Sequence, residues 1–127
     1  MLLRDVRLLA VPLALVLAAC GSAPKRLPSM EPTQDERAAQ LNIELAAGYI
    51  ESGEYEIALE RLRRAERLDP RSAEVQTLLG ILHEEIRRPE QAARHYERSI
   101  QLAPDQGAIL NNYGAWLCRS GRPAESY

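Results

Sequence analysis

The residues best equipped for chemistry in this 127-residue chain are its two histidines and its two cysteines, with the carboxylates near them. His83-Glu84 opens like the zinc pattern H-E-x-x-H, in which two histidines on one helix face hold the metal and the glutamate acts as general base. The second histidine would have to stand where the chain has Arg87, so the pattern fails and no metal ligand is expected. His95 lies among Arg94, Glu97 and Arg98 and reads as part of a solvated helix face. The chain has no glycine-rich phosphate loop and no serine in a nucleophile elbow. No pair of carboxylates stands isolated enough for acid–base work. The sequence names no catalytic residue and no cofactor, which points to binding.

The elements that would carry these side chains repeat at a fixed interval. Leu45, Leu79 and Tyr113 are spaced by 34 residues, as are Tyr49, His83 and Leu117; Ala58 precedes Ala92, Gly80 precedes Gly114 and Pro70 precedes Pro104 by the same interval. With 46% hydrophobic residues, no Phe and only 5% aromatics, the core must be built from Leu, Ile and Ala, which suits packed helices better than sheets. The net charge is -2, with basic and acidic residues interleaved, so no nucleic-acid footprint is present.

Thr33-Gln34-Asp35-Glu36 fits a capping box and sets the start of the first helix. Ala39, Leu45, Ala46, Tyr49 and Ile50 continue it at helical spacing until Ser52-Gly53, where glycine can take the left-handed conformation. The partner helix, from about Tyr55 to Leu68, carries Ala58, Leu62 and Ala65 on one face, and Asp69-Pro70 ends it. A second unit begins at the N-cap residue Ser72, and Pro89 suits the first turn of its second helix. A third runs from Gly107 to Gly121. Its second helix has only an opening turn, Pro123 to Tyr127, and the expectation is therefore that the array is truncated.

A 34-residue unit of helix, turn and helix, with small residues and a closing proline in register, resembles the tetratricopeptide repeat. The resemblance implies an all-α solenoid of antiparallel helix pairs, with repeats at about 39–72, 73–106 and 107–127, the last incomplete. His83 falls where that repeat has an aromatic residue, so it reads as a core histidine. The first helix of each unit lines a concave, partner-binding face in this family. Carried across, the inward positions are Ile43, Ala47 and Ile50, then Thr77, Ile81 and Glu84, then Asn111, Ala115 and Cys118. Such a stripe is mostly apolar and suits an amphipathic or extended partner segment better than a charged terminus.

Upstream of the repeats, residues 1–19 carry Arg4 and Arg7, then a 12-residue apolar run from Leu8 to Ala19. This is the layout of a secretory signal, and the run is too short for a transmembrane helix, which needs about 20 residues. Leu17-Ala18-Ala19-Cys20 resembles the bacterial lipobox, which implies cleavage before Cys20 and lipidation of that residue. Gly21 and Ser22 after it, with no Asp at the second mature position, resemble sequences sorted to the outer membrane. Residues 20–35 hold Pro24, Pro28 and Pro32 and read as an extended tether, which leaves residues 36–127 as the repeat domain. With Cys20 taken up by lipid, Cys118 would be a lone thiol in an oxidising compartment. It is open to pairing with a cysteine outside the chain or to a role as a small buried hydrophobe.

Leader, lipobox, tether and repeats in that order resemble the type IV pilus biogenesis lipoprotein, the pilotin of the outer-membrane secretin. The stretch Ile109-Leu110-Asn111-Asn112-Tyr113-Gly114-Ala115-Trp116-Leu117-Cys118, followed by Gly121-Arg122, carries the resemblance, together with Asn42-Ile43-Glu44-Leu45-Ala46. It implies a protein held at the periplasmic face of the outer membrane by its lipid, whose groove assists secretin localisation and assembly. A periplasmic adaptor for peptidoglycan hydrolases or outer-membrane assembly factors would share the architecture with a different client. A third reading, from another class, is an enzyme whose catalytic domain lies downstream.

Overall fold

A computed structural model describes residues 31–122; the leader, Cys20, most of the tether and the segment from Pro123 lie outside the described residues. Five helices follow one another: α1 (Gln34–Glu51), α2 (Tyr55–Leu68), α3 (Ala73–Glu85), α4 (Pro89–Leu102) and α5 (Gly107–Ser120). Among the described residues there is no strand, and no helix is long and apolar enough to cross a membrane. The fold class is all-α.

Local chemistry sets the helix ends. The capping box forms as read: Thr33 Oγ1 accepts from the Glu36 N–H at 3.2 Å, and Glu36 Oε2 accepts from the Thr33 N–H at 2.6 Å. This bond from the Thr33 backbone holds the Glu36 carboxyl below the usual carboxylate range. Ser72 caps α3 through the Val75 N–H at 3.2 Å, and Pro89 opens α4. The turn after each first helix adopts positive φ at residues exactly one period apart: 79° at Gly53, 56° at Arg87 and 66° at Gly121. Arg87 therefore occupies a left-handed conformation that its side chain disfavours, because the turn geometry repeats even where the residue does not.

Packing follows the pairs. α1 lies on α2 and α3 on α4, while α3 also touches α1, α2 and α5, which puts the first helices side by side in one row. One core joins Ile43 and Ala46 to Ala58, Leu62, Ala65, Leu79 and Leu82; a second joins Ala92 and Tyr96 to Tyr113 and Trp116. Full burial of a side chain such as Leu62 contributes about 2–3 kcal/mol. At Gly80 the two helices of the second unit come close: an added Cβ would stand 2.9 Å from Tyr96 Cδ2. Only glycine lets α4 bring a tyrosine ring onto α3 there.

Candidate functional site

The row of first helices forms the surface on which the sequence places its nine groove residues, and the structure treats them unequally. Ile43 is 4% exposed and belongs to the core, with Ile50 packed partly against the same cluster. Thr77 is also buried, and its hydroxyl donates to the Ala73 carbonyl at 3.0 Å. Ala47 and Ala115 are half-buried, and Asn111 is exposed. Cys118 is exposed, which removes the alternative of a small buried hydrophobe and leaves the pairing reading. Thr77, Ile81 and Glu84 are brought together in two adjoining depressions between α3 and α5.

One depression, of about 350 Å³, is lined by Thr77, Leu78 and Ile81 from α3 and by Ile109 and Asn112 from α5, with Glu74 at its edge. The other, of about 400 Å³, shares Ile81 and Asn112 and adds Glu84, Glu85, Tyr96 and Arg119. Asn112, not Asn111, thus faces this space. The floor is apolar and the walls are polar, an arrangement that can seat a side chain while polar groups orient the main chain around it.

A polar cluster closes one end. Tyr96 is fully buried, and its hydroxyl donates to Glu84 Oε2 at 2.6 Å. Arg119 binds the same carboxylate with both ends of its fork, Nη2 to Oε2 at 2.8 Å and Nε to Oε1 at 3.3 Å. Burial, reinforced by the Glu84 carboxylate, pushes the Tyr96 hydroxyl far above the usual phenol range. Arg119's own hydrogen bonds to Glu84 raise its guanidinium above the ordinary value. The cluster ties α3, α4 and α5 together, and Glu84 is already neutralised within the protein. Neither Tyr96 nor Arg119 was among the groove residues read from sequence. The repeat supplied a signal for Arg119, which stands 34 residues after Glu85 at the edge of the same depression.

The histidines lie away from these depressions. His83 is 7% exposed, a core histidine as read, and His95 is half-buried upon it, the rings 5.1 Å apart and within 2° of parallel. This corrects the solvated reading of His95. Gln76 donates to Glu66 at 2.8 Å and presents its Oε1 to His95 Nδ1 at 2.9 Å, so the neutral His95 ring carries its proton on Nδ1. Burial lowers both imidazoles below their ordinary value. Among the described residues no three His, Cys, Asp or Glu side chains gather as a metal site would require.

Paired antiparallel helices stacked at a constant period define a helical-repeat scaffold. A family model described as tetratricopeptide repeat matches residues 43–107, and the chain belongs to that family. It is 29% identical over 115 residues to the type IV pilus assembly protein PilF of Pseudomonas aeruginosa, a match covering 91% of this chain and 46% of that one. An uncharacterized protein of Haemophilus influenzae is 29% identical over 112 residues, covering 88% of this chain and 60% of its own. The chain spans about half the length of these curated relatives. A solved structure reported as a functional characterization of Pseudomonas aeruginosa pilF superposes with a TM-score of 0.68 at 29% identity, covering 71% of this chain and 40% of that chain.

Proposed function

We propose that this protein is a protein-binding scaffold in type IV pilus biogenesis, anchored at the periplasmic face of the outer membrane by a lipid on Cys20 and assisting localisation and assembly of the secretin. The observation that carries the reading is the similarity to PilF, over 91% of this chain in sequence and 71% of it in fold. The α3–α5 depressions supply a surface on which a partner segment can sit, and the leader with its lipobox supplies the anchor. Several acyl chains on one cysteine meet the requirement of more than one signal for stable attachment.

The test is a pull-down with the lipidated protein, followed by assay of secretin multimers in a deletion strain. Recovery of secretin and loss of its multimers are the expected results; unchanged secretin assembly removes the pilotin reading. Cys20→Ala should release the protein from membranes, and continued membrane association of that variant counts against lipidation.

A further inference from the structure

The two helix layers differ in charge. α1, α3 and α5 together hold seven carboxylates and two guanidinium groups, whereas α2 and α4 hold five and six. The imbalance bears directly on the α3–α5 depressions. Their one basic group, Arg119, is consumed by bidentate pairing with Glu84. Glu74 and Glu85 stand exposed at opposite ends of α3, each at the edge of one depression. Between them lies the apolar floor of Ile81 and Ile109. Asn112 lines both depressions, and no hydrogen bond occupies its amide among the described residues. α3 rises about 1.5 Å per residue, so the 11 residues from Glu74 to Glu85 set the carboxylates about 16 Å apart. An extended peptide covers that distance in about five residues.

Building on the scaffold reading, we infer that the α3–α5 groove selects an extended segment of its partner bearing Lys or Arg at each end of a short apolar core. The apolar side chain enters over Ile81 and Ile109. The flanking cations lie against Glu74 and Glu85, and Asn112 donates to and accepts from the segment's main chain. An acidic segment is rejected because two carboxylates would face it with no free cation to offset them. A segment with a bare C-terminal carboxylate is disfavoured for the same reason.

The experiment is titration calorimetry with the purified full-length chain and two synthetic heptapeptides, Ala-Lys-Ala-Leu-Ala-Lys-Ala, whose Lys and Leu side chains share one face of an extended chain, and its counterpart with Glu in place of both Lys, each capped at both ends. The lysine peptide should bind at least tenfold more tightly at low salt, with the margin shrinking as salt rises. Glu74→Gln with Glu85→Gln should remove most of that margin. Glu56→Gln with Glu60→Gln, two charges on α2, should leave it intact. Asn112→Ala should weaken the lysine peptide severalfold without altering the preference. Equal binding of the two peptides, failure of both to bind, or a preference that survives Glu74→Gln with Glu85→Gln overturns the inference. In each of those cases secretin recovered in the pull-down leaves the scaffold reading standing, whereas a lysine preference without secretin recovery overturns the pilus client alone.

Discussion

Units one and two occupy corresponding places in the array and fill their interiors with opposite choices. At the small position unit one has Ala46 and unit two Gly80; at the large position facing it from the second helix, unit one has Leu62 and unit two Tyr96. All but Gly80, which is equally enclosed, are fully buried side chains. Giving up one methyl on α3 admits a ring on α4, and the ring carries a hydroxyl through to the groove side. Leu62 ends within an apolar core. Tyr96 ends on Glu84 and, through it, on Arg119 of the following unit. The contrast shows how a repeat can keep its volume while changing what its core communicates: unit one only fills, and unit two both fills and holds its neighbour.

Breaking the apolar half should have the largest effect. Leu62→Ala leaves a cavity in unit one and should cost about 3 kcal/mol in urea denaturation. Gly80→Ala drives a methyl into the Tyr96 ring and should cost about 2 kcal/mol. Adding Tyr96→Leu to that variant installs the unit-one pair in unit two and should recover more than half of the loss; no recovery would mean that the two positions do not compensate one another.

The next difference is titratable. Where unit two has His83 and His95, unit one has Tyr49 and Arg61. Both imidazoles are lowered, chiefly by burial, from an ordinary value of 6.5. The unfolded chain therefore binds protons that the folded one resists, and the stability these rings contribute is present above pH 6.5 and lost as pH falls below it. The slope can reach at most about 1.4 kcal/mol per pH unit for each ring. Urea midpoints between pH 7.5 and 5 should fall, and His83→Tyr, which copies unit one, should flatten the decline.

Two stabilising changes lie at the small end. Arg87→Gly gives unit two the residue that unit one uses at Gly53 and should raise stability by about 0.5–1 kcal/mol by relieving positive φ. Gly114→Ala has open space around the new methyl, unlike Gly80, and should gain about 0.5–1 kcal/mol from helix propensity. A loss at Gly114 as large as that at Gly80 would show that the two glycines serve one purpose.

The helices and their register were legible because local signals mark them: Thr33 with Glu36, Gly53, Ser72 and Pro89 act on their own backbone neighbours. The His95 stack was not read from the sequence, because the solvated reading weighed the wrong neighbours. Its charged companions Arg94, Glu97 and Arg98 lie around the helix, whereas Ala92 and Ser99, at three and four residues' distance, share its face and are buried. Ile43 and Thr77 were carried over from a family pattern that does not report how deeply each position sits. The pairing of Asn112 and Arg119 with α3 depends on how far one unit rotates on the next, which emerges only when whole helices pack.

The chain's one tryptophan, Trp116, sits at the joint between α4 and α5, its ring 5.1 Å from Tyr96 and 5.2 Å from the Arg122 guanidinium. Its emission is thus a local optical gauge. Quenching and wavelength follow the seam between the second and third units alone, while circular dichroism follows every helix. Comparing the two signals during melting tells whether the array comes apart as one block or peels from the end, with no dye or label attached.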